Sequence, residues 1–499
     1  MSAMKELRAL LQMRALQLAA LIAMLTMVAG IAFSSRTTVR DPDIWWHLKI
    51  GDWIVQNHAV PYTGIFSRTA GSLPWIAYSW GYEVMLSRAY AWFGLTGFSM
   101  FGIWLTVAVA FALFWVLHRL CGSFWLALGL SFVGSFSYLF SLMPRPVFFT
   151  MIFFSILVGL LLESDRSGDL KRLYWLPLIF VLWANIHIQF LYGLFTVGLF
   201  VGMHTLLWLA RRQGWPLIRL TSSALPIGGL YGVFFASMAA TLCGPYSYHL
   251  LRVIAAYTNS HVPYFMIEEL AALSFHAFTH FFLLLLTCAA FFALGWRNKL
   301  DPFKLALLAF SAVIAFRTQR DSWFLGIAAA CFLADLPSQE GKKEVSPVLR
   351  LPELSLTLVL LVGAGLLVGS NIGFNMRDLD TAISRTYPVK ACNFIRQSNL
   401  AGPLYNNLDW GGFLIWYMPQ YPVTVDGRND LYGDDMDLRT FKSNLGDSYT
   451  EDPYLKESNL VLLPKKSPLA GLLLIDPHFQ LVYQDQLALV YVRTSPSTP

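Results

Sequence analysis

Two carboxylates, Asp41 and Asp43, stand one residue apart in RDPDIWWHLKIGDW, directly after an apolar run over 13–33. Acids at a water–lipid boundary can bind a cation or take a proton from an attacking hydroxyl. They also have a plain structural use. Asp at an N-cap with Pro at the first helical position opens a helix, and a further acid complements its dipole. That use occupies Asp41 and leaves the Asp43 side chain for chemistry. His47 follows one helical turn from Asp43 on the same side, and Glu83 ends YSWGYE before the next helix. His47 reads first as a packed interfacial histidine. Glu83 either snorkels into headgroups or faces a cavity.

Cations come from elsewhere in the chain. Arg317 and Arg320 lie in FRTQRD, at one end of a late apolar run, and His187 lies in WANIHIQF. An arginine in or near a span is costly unless it has a partner, and its fork suits phosphate. Arg145 in MPRP is similarly placed, with headgroup snorkelling as its plain alternative. Glu268 and Glu269 read as an exposed helix start or as acids over a site. In the tail, Asp409 and Trp410 (DWGG) and Asp426 and Arg428 (VDGR) are further candidates. WGG before an apolar run also suits a tight turn into a helix, and an Asp–Arg pair can simply lock a turn.

The elements that must carry these residues are membrane helices. The chain is 56% hydrophobic and 13% charged over 499 residues, with mean hydropathy +0.52, which places it among polytopic membrane proteins. The first run is long and has no small-x-small cleavage site after it, so it is expected to be a retained span. Runs at 13–34, 97–118, 123–142, 147–163, 173–190, 191–210, 220–242, 277–296, 303–317, 322–337 and 354–374 predict about 11 transmembrane helices. Lys5, Arg8, Arg14, Arg119, Arg166, Lys171, Arg172, Arg211, Arg212, Arg219, Arg297, Lys299, Lys304, Lys342, Lys343 and Arg350 alternate onto one side, expected to be cytoplasmic along with the N-terminus. The opposite side receives the 35–96 loop, expected to carry interfacial helices with Trp45, Trp46 and Trp53 at headgroup level. It also receives a tail from 375 to 499. There a helical pattern (YPVKACNFIRQSN) precedes apolar strands (YPVTV, NLVLL, FQLVY, LALVYV) separated by turn residues, which predicts a soluble α/β domain on the outer face.

Several functions are disfavoured. The net charge of +6 is spread over short loops, with no basic run for nucleic acid. Five cysteines match neither a zinc site nor a disulfide framework. There is no P-loop, no GxGxxG after a strand, no HExxH and no CxxC.

DPDIWWHL resembles the first acidic motif of the membrane-embedded glycosyltransferases with the C-type fold (the GT-C superfamily), which draw sugars from polyprenyl phosphate or pyrophosphate. The nearest likeness is to the catalytic subunit of oligosaccharyltransferase. On that pattern Asp41 is the first acid and Asp43 the acid that contacts metal or acceptor. NLDWGGFLIWYMPQYPVTVDGRN is similar to the region around that family's Trp-Trp-Asp-Tyr-Gly motif, with Asp409, Trp410 and Gly411 matching and with Asn407 and Leu408 where the family keeps two tryptophans. FRTQRD sits where the family keeps an arginine on the donor phosphate. The whole chain also resembles bacterial membrane proteins of the same superfamily, which share DPD-WWH, a WAN-H span (Trp183 to His187), DWGG and VDGR.

The resemblance implies a GT-C-like transmembrane domain over 1–374, an extracytoplasmic α/β domain over 375–499, and a bacterial inner (plasma) membrane location. It implies an inverting glycosyltransferase moving a sugar or oligosaccharide from a polyprenyl-phosphate-linked donor to a glycan, lipid or protein acceptor. Asp43, supported by Asp41, would be the base or would hold a divalent cation, Mg or Mn. Arg320, Arg317 and His187 would hold the donor phosphate. His47, Glu83, Asp409, Trp410, Asp426 and Arg428 would contact or support the acceptor. Two rivals share the features: a transporter or flippase for lipid-linked sugar, which has no use for Asp43 and should show repeated halves, and a non-catalytic scaffold with an outer binding domain.

Overall fold

The computed structural model describes residues 14–35, 37–139, 143–215, 225–259, 262, 267–297, 300–336 and 376–494. The expected span at 354–374 lies outside them, as do Lys5, Arg8, Arg219, Lys299, Lys342, Lys343 and Arg350. In chain order the helices are α1 (Arg14–Ser35), α2 (Ile44–Asn57), α3 (Trp80–Cys121), α4 (Phe124–Tyr138), α5 (Val147–Ser167), α6 (Leu176–Ala184), α7 (Phe190–Arg212), α8 (Ile227–Ala240), α9 (Leu250–Asn259), α10 (Phe278–Gly295), α11 (Pro302–Arg317) and α12 (Ser322–Asp335). The tail continues with α13 (Met376–Thr386), α14 (Val389–Gln397), β1 (Leu404–Asn406), α15 (Leu408–Tyr417), α16 (Asn429–Asn444), β2 (Leu460–Pro464), α17 (Pro468–Leu473), β3 (Phe479–Gln484) and β4 (Ala488–Arg493). Contacts gather the chain into two units. One comprises 1–35, 102–247 and 269–373; the other comprises 36–101, 248–268 and 374–499.

Four described helices are long and apolar enough to cross a membrane: α3, α5, α7 and α10. Shorter apolar helices occupy Leu16–Ala32, Phe124–Tyr138 and Ile227–Ala240. The expected run at 173–190 is a 3-10 turn (Lys171–Trp175) followed by the nine residues of α6. Within the first unit, α12 is the central rod. Every residue of SWFLGIAAACFLAD except Leu333 is buried, as expected of a helix apolar on all sides. Its small residues admit neighbours closely: a Cβ on Gly326 would stand 2.8 Å from the Tyr138 ring. α11 opens on a sequence-legible cap, with Pro302 at its first position and Asp301 accepting the Lys304 amide at 3.1 Å. Lys304, expected in a solvent loop, is instead buried at 2% exposure and pairs with Asp335 at 2.6 Å.

The second unit builds a four-stranded sheet in the order β1-β2-β4-β3, with β1 and β2 parallel and the other pairs antiparallel. Three of the expected strands form, but YPVTV does not. The Val423 amide bonds to Phe66 and its carbonyl accepts from Arg68, while the Thr424 amide goes to the Asn406 side chain. Its backbone groups are therefore satisfied by a loop and a side chain rather than by a ladder. α2 begins at Ile44, later than the Asp41–Pro42 start expected. Trp45 and Trp46 are buried against protein rather than turned outward to lipid headgroups. Trp45 packs among Phe98, Tyr387, Phe413 and Trp416, with ring centroids 4.6–5.8 Å away. Burying two large rings against other aromatics gains more than leaving them at an interface. α3 breaks at Gly94, whose φ of +61° suits a residue without Cβ.

Candidate functional site

The second unit brings together Asp41, Asp43, His47, Glu83, Asp409, Trp410, Asp426 and Arg428. Its centre is the pairing of α2 with α15. A Cβ on Gly412 would overlap the Pro42 carbonyl, one on Gly411 would overlap that of Val425, and one on Gly427 would overlap Asp43 Oδ1. Gly412 and Gly427 are thus the places where the tail meets the acidic turn, and Gly411 is where DWGG meets VDGR.

The two acids of that turn are used differently. Asp41 is buried, and its Oδ1 accepts the Asp43 amide at 3.0 Å. Asp43 is half-buried, occupies the N-cap position of α2, and makes no side-chain cap bond. Its Oδ1 accepts from the Trp46 indole N–H at 3.2 Å instead. His47 is buried with its Nδ1 3.1 Å from Glu83 Oε1, and its ring lies 3.6 Å from that of Trp46. Glu83 is also buried, facing protein rather than headgroups.

The tail acids differ again. Asp426 is enclosed: the Arg428 amide, Nε and Nη2 donate to it at 3.1, 2.8 and 2.7 Å, and the Tyr432 hydroxyl at 2.7 Å. Burial opposes the charge of Arg428, yet Asp426 holds the guanidinium above its ordinary range. The guanidinium lies 4.8 Å from the Trp75 ring centroid, and the Trp75 indole N–H donates to Asp430 Oδ2 at 3.0 Å. Burial pushes Asp430 up to about 6 against the pull of that indole and of Arg428. Burial and the nearby charges of Asp434, Asp426 and Asp430 push Asp437 up to about 7. Asp409 is exposed in the first turn of α15, where its amide bonds to the Asn407 cap, while Trp410 is buried.

The first unit holds the other candidates. His187 is buried in the turn between α6 and α7, its Nδ1 2.9 Å from Thr150 Oγ1, which accepts the Trp183 indole N–H at 2.8 Å. Arg320 lies within electrostatic reach of His187 and of Asp321. Asp321 is fixed by Gln189 and Thr318, each donating at 2.9 Å. Arg317 is exposed at the end of α11. Arg145 pairs with Glu269 at 3.3 Å, and Glu268 opens a 3-10 turn.

Sequence reading missed Trp46 as a hydrogen-bond donor, Gly427 and Gly412 as clearances, and Thr150 and Asp321 as partners. Asp430 had a signal, four residues beyond Asp426; Thr150 had none. No group of three or more His, Cys, Asp or Glu fit to hold a metal occurs among the described residues. Of the two acids, Asp41 Oδ1 accepts a backbone amide and Asp43 Oδ1 an indole N–H. No protein-family model matches the chain, and no curated protein matches it.

Proposed function

We propose that the chain is an integral membrane glycosyltransferase of the GT-C type. It would move a sugar or oligosaccharide from a polyprenyl-phosphate or pyrophosphate donor to an acceptor at the outer face, in a bacterial inner membrane with the N-terminus cytoplasmic. What supports this reading is one observation: the acidic turn 41–43 and the tail motifs DWGG and VDGR, hundreds of residues away, are packed on one another with Asp43 half-buried where they meet. An acid held there and excused from capping is suited to proton transfer.

The chemistry is a displacement. The acceptor oxygen attacks the anomeric carbon, the carbon–oxygen bond to phosphate breaks, and the phosphate leaves with the electron pair. Asp43 takes the acceptor proton. A phosphate leaving group needs charge stabilisation rather than protonation, which an arginine's bidentate fork supplies. Asp41 acts through the backbone by fixing the turn that presents Asp43.

The test uses the full chain in proteoliposomes supplied with a polyprenyl-phosphate-linked sugar. Asp43→Asn should abolish transfer while leaving donor binding within about threefold, since a base is lost and no donor contact is. If the Asn variant still transfers sugar, Asp43 is not the base; if the wild type transfers none and both chains translocate the lipid-linked donor at the same rate, the chain is a transporter instead.

A further inference from the structure

The carboxylate of Asp43 is held in a manner that a capping residue does not need. Asp is among the preferred N-cap residues, and a cap bond from its side chain stabilises a helix. Asp43 occupies that position in α2 and makes no such bond. Its Oδ1 is turned to the Trp46 indole N–H, at 3.2 Å. Gly427 packs against the same oxygen, and a Cβ there would also stand 3.4 Å from Trp46 Nε1. The indole is itself confined. A Cβ on Gly412 would approach Trp46 Cδ1 to 3.2 Å, and the ring lies over His47 at 3.6 Å between centroids and 30° between planes. His47 is in turn fixed by Glu83 at 3.1 Å. Neither Gly412 nor Gly427 has positive φ, so the backbone does not call for glycine at either place. Space does.

We propose that Trp46 is a positioning residue for Asp43, and that Gly412 and Gly427 are the clearances that let the indole–carboxylate pair close. Glu83 and His47 hold the indole plane from behind. The inference rests on the glycosyl-transfer reading for what Asp43 does, and on geometry alone for how Asp43 is held. A carboxylate free to rotate about χ1 and χ2 would sample several rotamers, and a base must sit within about 2.6–3.2 Å of the proton it removes. Fixing one oxygen on the indole leaves the group in one orientation.

The experiment uses the full chain in nanodiscs. Trp46→Phe keeps the ring and loses the N–H, and the 15N–1H indole resonance it deletes identifies Trp46. That resonance should lie downfield in the wild type, as expected of a donor to a carboxylate, and move upfield in Asp43→Ala and in Gly427→Ala. With the polyprenyl-phosphate-linked sugar, Trp46→Phe should lower kcat about tenfold with KM unchanged and Tm held, since misplacing a reacting group costs rate rather than binding. A merely structural tryptophan would lower Tm and leave kcat alone. The proposal is overturned if the Trp46 resonance does not respond to Asp43→Ala, or if Trp46→Phe turns over like the wild type. Trp46→Phe and Asp43→Ala decide the matter even where Gly427→Ala fails to fold. If the wild type transfers no sugar, the functional reading falls, and the resonance alone still decides whether the clamp exists.

Discussion

Two turns in this protein start alike and end differently. In DPD, Asp41 Oδ1 accepts the amide two residues on at 3.0 Å, and α2 begins at the next residue. In DGR, Asp426 Oδ1 accepts the amide two residues on at 3.1 Å, and α16 begins at the next residue. Both leading aspartates are buried and both form the turn in which an Asp side chain imitates a backbone carbonyl. The third residue separates them. Arg428 folds back onto Asp426 and closes a fully buried ion pair. Asp43 carries the same sign as Asp41 and cannot fold back, so its carboxylate is left for Trp46 and remains half-buried. One turn is a lock and the other presents a group. They also nest, since Gly427, the middle residue of the lock, is what Asp43 packs against.

The comparison breaks most visibly at Arg428. Arg428→Met leaves Asp426 buried without its counter-charge and should cost about 3–5 kcal/mol, seen as a lowered unfolding temperature of the full chain in detergent. Asp426→Leu in the same chain should recover most of that loss. The matching change in the presenting turn, Asp43→Asn, should shift stability by less than about 1 kcal/mol, because a half-buried group whose amide oxygen still accepts from Trp46 loses little.

A smaller effect comes from pH. Asp437 and Asp430, in electrostatic reach of one another on α16, are raised to about 7 and about 6. A raised carboxyl keeps its proton in the folded state where the unfolded chain has released it. Unfolding free energy therefore falls as pH rises from roughly 4, the ordinary carboxyl value, through these folded values. Tm should drop by a few degrees between pH 5 and pH 8, and Asp437→Asn should flatten the curve. If Tm rises over that window, the acids of α16 are not buried as described.

The smallest effect tests the shared beginning. Asp41→Asn keeps the oxygen that accepts the Asp43 amide and should be nearly silent in stability, whereas Asp41→Ala should cost about 1 kcal/mol, as capping losses do. Equal losses in the two variants would mean that the charge of Asp41, rather than its acceptor oxygen, is what the turn uses.

Much of this was legible in the order of residues. The apolar runs announced the long helices α3, α5, α7 and α10, and the run at 303–317 announced α11. NLVLL, FQLVY and LALVYV announced β2, β3 and β4. The candidate acids of the 35–96 segment were named from type and spacing, and those of the tail from the likeness of DWGG and VDGR. The failures share a cause. YPVTV has strand composition, but the backbone of Phe66 and Arg68 and the side chain of Asn406 take up its backbone hydrogen bonds. Trp45 and Trp46 have interfacial composition, but α15 and Tyr387 cover Trp45, and Trp46 packs on His47 and near Trp75. Lys304 looked like a loop cation, but Asp335 lies 2.6 Å away. In each case a partner remote in sequence outbid the local preference.

Sequence alone determined the features that depend on a few neighbours: hydrophobic length, the short apolar strands β2, β3 and β4, and the turn at VDGR, whose hydrogen bond spans two residues. Only the tertiary structure decided that Asp41 is buried while Asp43 is half-buried, that Gly427 makes room for Asp43, and that an indole rather than a helix amide meets its carboxylate. Those outcomes turn on burial and close packing, and both are set by which distant segments arrive at the same place.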